Sequence, residues 1–292
     1  MTALDTRHGS TPDSGRKRKR KLSDVGAAAY FVAILAAAFA IVPVLYIMYS
    51  AFRTNGQLSA SPVGLPDPFV WTNYGQILSS GDFWRMLFAS LVIALGTTLG
   101  VVFLGVMAAY PLARYEFPGR EALYTYFTAG LLFPITVAAL PLYLILLQLH
   151  LPGTPWGLVL PQVAFQLPVT IVILRPFVRA IPRELEEAAA IDGAGRVQFF
   201  FRILLRLTMP ALVTVGVLAF VGSWNAYLLP LLVVQGSDWT TLPLGVARFQ
   251  SDHSQDTALI LAFLSLAMLP AILFFTLMER KIVTGLTGAV KG

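Results

Sequence analysis

The chain has 292 residues, of which 57% are hydrophobic and only 12% charged, with a formal net charge of +6 and a mean hydropathy of +0.72. Soluble domains carry about 25% charged residues, so this composition excludes a soluble globular protein and describes one that crosses a membrane several times. The absence of cysteine excludes disulfides, thiolate metal sites and cysteine nucleophiles, and the scattered histidines, His8, His150 and His253, form no metal-ligand spacing.

Residues 1–24 are polar and contain the run Arg16-Lys17-Arg18-Lys19-Arg20-Lys21. With nothing to bury, they predict a disordered basic tail. Directly before an apolar segment, such a run reads as a topogenic anchor beside anionic lipid rather than as a nucleic-acid patch. Residues 25–52 carry no charge. They exceed the roughly 20 residues that span a bilayer and the ~7 to 15 of a signal-peptide core, so they are expected to persist as a first transmembrane helix.

Residues 53–85, with Pro62, Pro66, Pro68 and the aromatics Phe69, Trp71, Tyr74, Phe83 and Trp84, are expected to form an extracytoplasmic loop with interfacial aromatics. Residues 86–280 then hold five more spans: 86–113, 122–149, 156–174, 208–234 and 257–278. Gly96, Gly100 and Gly105 on the second span suit close approach of a neighbouring helix. Pro134, Pro141, Pro161 and Pro168 interrupt the third and fourth, as helices lining a pathway or simply kinked in packing would be. Residues 235–256 are expected as a loop, and 281–292 as a C-terminal tail. With six spans both termini share one side. Eighteen of the 21 Lys and Arg residues then fall on that side, leaving Arg53, Arg85 and Arg248 opposite. By the positive-inside rule the termini and the loop 179–206 are cytoplasmic.

That loop holds the most polar run in the chain's interior. Pro182 suits a first helical turn, and Glu184, Glu186 and Glu187 follow where the helix dipole favours negative charge. Ala188, Ala189 and Ala190 leave almost no bulk on the helix, and Gly193 and Gly195 stop it and permit a sharp turn. A second short helix is expected over 196–205, with Asp192 able to cap it.

From Glu187 the spacing runs Glu-Ala-Ala, three residues, Gly193, nine residues, Ile203, then Leu205. This resembles the Glu-Ala-Ala loop of ATP-binding cassette importer permeases, although that family carries proline directly after the leucine, where this chain has Arg206. Other runs resemble the smaller maltose-type permease subunit: Tyr110-Pro111-Leu112-Ala113-Arg114 with Phe117-Pro118-Gly119, Trp224-Asn225-Ala226-Tyr227-Leu228-Leu229-Pro230-Leu231, Thr241-Leu242-Pro243-Leu244-Gly245, and the tail 285–292.

The resemblance implies an all-α membrane protein with six transmembrane helices in the type I ABC importer permease fold, a multi-pass component of a bacterial inner membrane. It implies as partners a second permease subunit, two ATPase subunits that use ATP and Mg, a solute-binding protein, a carbohydrate substrate and membrane lipid, with no nucleic acid. It assigns contact with the ATPase to Glu187, Ala188, Ala189, Asp192 and Gly193, with both alanines allowing close approach and Glu187 meeting a basic group. The chain lacks the G-x-x-x-x-G-K-[ST] phosphate loop, so no cofactor is expected on it and hydrolysis resides in the partners. Trp224, Asn225 and Tyr227 are the candidate sugar contacts, offering stacking faces and an amide. An importer of peptide, amino acid or phosphate is the alternative. An intramembrane enzyme or an ion-coupled transporter would need ionisable groups that the spans lack.

Overall fold

The computed structural model describes residues 27–234, 236–253 and 256–290. The basic tail 1–24 and the last two residues lie outside them. The described residues are helical throughout their ordered elements. They fall into two units, residues up to Leu45 and residues from Tyr46 onward.

The first unit is the bulk of α1 (Ala27–Ser50), which carries Pro43 within it. Its side chains from Ala29 to Pro43 are exposed, Phe39 among them. Apart from the Tyr30 hydroxyl near the start of the helix these side chains are apolar, so an apolar environment suits the helix.

In the second unit, α2 (Asn55–Ala60) and α3 (Thr72–Ser79) occupy the segment expected as a plain loop. Thr54 caps α2 in a reciprocal capping box with Gln57. The buried Arg53 gathers this segment by donating to the carbonyls of Pro62 at 3.1 Å, Gln57 at 2.6 Å and Ser61. The second span, α4 (Gly81–Arg114), starts five residues before its expected beginning because Ser80 accepts a cap bond from the Phe83 N–H.

Helix α4 is the central element, packed against α7 (Trp156–Arg179) and α11 (Met209–Trp224), with α14 (Thr257–Val290) packed on α11 and meeting the start of α4 through the Phe83 and Phe263 rings. The glycines work as expected. A Cβ at Gly96 would come within 3.3 Å of Val159, one at Gly100 within 2.7 Å of Val163, and one at Gly105 would overlap the Thr170 methyl. Helix α7 runs unbroken through Pro161, Pro168 and Pro176.

The third expected span is not one helix. Helix α5 (Arg120–Ala129) and a 3-10 turn at Gly130–Leu132 meet α6 (Ile135–Gln148) at 102°. The break falls at Phe133-Pro134, where proline forces its predecessor out of the helical region. The fifth begins within a residue of its expected start but its helix stops ten residues before the expected end. A segment from α9 (Arg196–Phe199) through a π turn at Phe200–Leu204 to α10 (Leu205–Leu207) precedes it at a 77° bend. The break comes at Thr208, just before Pro210, so Arg206 sits in the last turn of α10 rather than at the start of the span. At the other end α11 stops at Trp224, and α12 (Leu228–Val233) follows a break. The expected loop 235–256 contains α13 (Leu242–Asp252), which begins with Pro243 in its first turn. Helix α14 is apolar enough to span from Thr257 to Met278, as expected, but continues in helical backbone to Val290 where a tail was predicted. Among the described residues four helices are thus long and apolar enough to cross a membrane, and the number of crossing segments rises to six when each of the two bent pairs counts as one span.

Candidate functional site

The polar loop forms α8 (Arg183–Ile191), with Pro182 at the position just before its first turn. Glu184 and Glu186 lie in that turn, at the positive end of the helix dipole. Its C-terminus is a Schellman motif: the Gly193 N–H reaches the Ala190 carbonyl at 3.0 Å and the Ala194 N–H reaches Ala189 at 2.8 Å. Gly193 takes φ +81, and a Cβ there would meet nothing within 4 Å, so glycine is required for its backbone conformation rather than for space. Asp192 closes α8 and does not cap the next helix. Gly195 holds the position before α9, with no side-chain cap bond.

One face of α8 is fixed to the end of α4. Arg114, in the last turn of α4, has a side chain only 3% exposed, and its Nε donates to Glu186 at 3.0 Å. Its remaining nitrogens donate to the carbonyls of Ile181 at 2.6 Å and Pro182 at 3.4 Å. The Tyr110 hydroxyl donates to the other Glu186 oxygen at 3.1 Å and accepts from Tyr115 at 3.0 Å. One turn further along α8, Ala189 is 6% exposed and packs in a cluster with Tyr110, Phe199, Phe200 and Leu204. This corrects the expectation for Ala189, whose methyl fills the chain's own core and is not offered to a partner.

Glu187, Ala188 and Asp192 remain on the outer surface with Gly193. Sequence reasoning missed two members of this loop. Glu186, rather than Glu187, is the anchoring carboxylate. Ile191, an apolar side chain on the tip of a polar helix, stands 86% exposed. Helical spacing of three from Ala188 was the available signal for Ile191.

A second tie supports the same end of the molecule. Arg175 near the end of α7 donates to the Leu112 carbonyl at 3.1 Å and to Glu121, and its guanidinium lies 4.0 Å from the Tyr124 ring. The Arg183–Glu116 pair at 3.6 Å is exposed on both sides and contributes little.

The three candidate sugar contacts are not brought together. Trp224 is 4% exposed and stacks on Phe220 at 5.7 Å within the core, so its ring is not a free sugar platform. Asn225 ends α11 with its amide donating to the Val221 carbonyl of the same helix at 3.0 Å, which makes no bond between helices. Only Asn225 and Tyr227 are exposed. Among the described residues no group of His, Asp and Glu converges on a point where a metal ion could sit.

Membrane-length helices packed around α4, with a short polar helix bolted to its end, describe a multi-pass membrane protein. Residues 101–286 match the binding-protein-dependent transport system inner membrane component family, and the chain belongs to that family. It is an ABC importer permease subunit of the inner membrane, with the type I fold. A crystal structure of a bacterial ABC transporter that imports the acidic polysaccharide alginate superposes with a TM-score of 0.75 over 87% of this chain and 94% of that one, at 20% identity, which attests the fold.

Among relatives, the diacetylchitobiose uptake permease NgcG of Streptomyces coelicolor is 35% identical over 85% of this chain and 83% of its own. The trehalose permease SugB of Mycobacterium tuberculosis is 36% identical over 88% and 95%. The arabinooligosaccharide permease AraQ of Bacillus subtilis is 30% identical over 86% and 90%.

Proposed function

We propose that this chain is one of two permease subunits forming the pathway of an ATP-driven carbohydrate importer. The observation that supports the substrate class is the set of relatives named for di- and oligosaccharide uptake, at 30 to 36% identity over 85 to 88% of the chain. In this reading a solute-binding protein delivers the sugar from outside, and one of the two ATPase subunits docks on the outer face of α8 while the other docks on the second permease. Both termini and α8 lie in the cytoplasm, in keeping with the distribution of basic residues.

The geometry suggests how force would pass. ATPase closure displaces Glu187, Ala188 and Ile191, and the opposite face of α8 is fixed to Arg114 and Tyr110. Both lie at one end of the 34-residue α4, a rod of about 50 Å at 1.5 Å per residue. A push on α8 therefore tilts α4 and the helices packed on it instead of bending a loop. The experiment is uptake. Cells lacking the gene should lose accumulation of labelled oligosaccharide and regain it with the intact chain. A defect confined to peptides or amino acids refutes the sugar reading.

A further inference from the structure

An open pocket of about 360 Å³ lies beside the end of α4, next to Tyr110 of the α8 anchor, between Phe103 and Met107 of α4 and Phe200 and Phe201 of the π turn. Its walls are apolar, with Phe103, Met107 and Phe201 each about half exposed. Arg196 stands at its rim, its guanidinium 5.0 Å from the Tyr115 ring. The ion pairs among the described residues engage Arg85, Arg114, Arg120, Arg175 and Arg183, and Arg196 is in none of them.

Depth decides what such a pocket can hold. Met107 and Phe103 precede Arg114 by seven and eleven residues of continuous helix, placing them about 10 and 16 Å along α4 from its charged end. They therefore lie at hydrocarbon depth when Arg114 is at the membrane surface. The segment Arg196–Leu207 meets α11 at 77°, so it runs nearly in the membrane plane when α11 crosses. Its exposed residues are the polar Arg196, Gln198, Arg202 and Arg206 and the apolar Val197, Phe201 and Leu207. This is the composition of a helix lying at the headgroup boundary. A pocket apolar at acyl depth and cationic at headgroup depth complements a molecule with the same two halves.

We infer that this pocket is a binding site for an anionic phospholipid, with the phosphate at Arg196 and the upper part of an acyl chain between Phe103, Met107 and Phe201. The lipid would wedge between α4 and the α9–α10 segment, the two elements that flank α8. The inference rests on membrane depth and not on the transported solute, so it stands or falls apart from the sugar reading.

The test uses the assembled importer, delipidated, reloaded with phosphatidylglycerol or phosphatidylcholine of identical chains, and weighed by native mass spectrometry. The wild type should retain phosphatidylglycerol preferentially. Arg196→Gln should reduce that preference about fivefold, the contribution of one basic residue near an anionic surface. Met107→Trp, which fills the pocket, should reduce retention of both lipids, and Arg202→Gln, outside the pocket, should behave as wild type. Equal retention of the two lipids by the wild type, or an unchanged preference in Arg196→Gln, overturns the inference. So does equal occupancy by glycerol 3-phosphate, which has no chain. Efficient cross-linking of a Phe201→Cys variant to the second permease would overturn it as well, by making the pocket a subunit interface.

Discussion

The Nε of Arg114 lies 3.0 Å from a carboxylate oxygen of Glu186, joining the last turn of α4 to the first turn of α8 across 72 residues of sequence. The arginine is buried and the glutamate is 28% exposed on its side chain. Removing the carboxylate leaves a buried guanidinium with only carbonyl partners. A fully buried pair would cost about 3 to 5 kcal/mol to break, and water access at Glu186 lowers the expectation to about 1 to 2 kcal/mol. Glu186→Ala should therefore lower the thermal unfolding midpoint of the isolated permease. Glu187→Ala should not, since Glu187 is exposed. Equal shifts in the two variants would remove Glu186 from its anchoring role.

Ala188 and Ala189 should respond oppositely to enlargement. Ala189→Leu forces bulk into the cluster around Tyr110, Phe199 and Phe200, and overpacking costs about 1 to 3 kcal/mol. Ala188→Leu leaves the permease fold intact and obstructs a docked ATPase. The checks are unfolding of the purified permease for the first variant and co-purification of the ATPase for the second.

Gly193→Ala places a Cβ at φ +81 in otherwise open space. The cost is purely conformational, about 1 to 2 kcal/mol, and should fray the last turn of α8. Gly193→Asn should cost less, because asparagine tolerates this region better. Thermal unfolding and hydrogen exchange at Ala194, whose N–H closes the Schellman motif, would measure it.

The α4–α7 contact makes a paired prediction. At Gly105 an added methyl overlaps the Thr170 Cγ2, and that side chain is held by its Oγ1 bond to the Gln166 carbonyl at 2.8 Å. Gly105→Ala should destabilise by about 1 to 3 kcal/mol. Thr170→Ser, which deletes the methyl and keeps the hydroxyl, should restore most of that loss. Additivity of the two changes in unfolding free energy would contradict the packing described.

Why some of this was legible in the sequence and some was not follows from particular residues. The extent of α8 was readable because its stop signal is local, in Gly193. Its orientation was not. Three adjacent alanines and glutamates at 184, 186 and 187 carry little phase information, and what turns Glu186 and Ala189 inward is Arg114 and Tyr110, contributed by another helix. The glycines of α4 forecast a close neighbour correctly, because small residues in a span have few other uses. Phe133-Pro134 was recognised as an interruption, but its 102° angle depends on how α5 packs against α7. Trp224 looked like a sugar platform from its company in sequence, and only the Phe220 ring shows it to be core.

The proposed orientation is open to a direct check because the chain has no native cysteine. A Ser237→Cys variant should react with a membrane-impermeant thiol reagent in intact cells, and a Ser14→Cys variant only after permeabilisation. Labelling of position 14 in intact cells would reverse the topology and place α8 on the wrong side for an ATPase.

In the proposed mechanism α8 carries force between ATP hydrolysis and a sugar pathway. The most direct measurement of that role is ATP hydrolysis by the full importer in proteoliposomes, with sugar-loaded binding protein added or withheld, for the wild type and Glu187→Ala. The account predicts stimulation in the wild type and its loss in Glu187→Ala, with the permease itself as stable as before. Undiminished stimulation and sugar uptake in Glu187→Ala would contradict it.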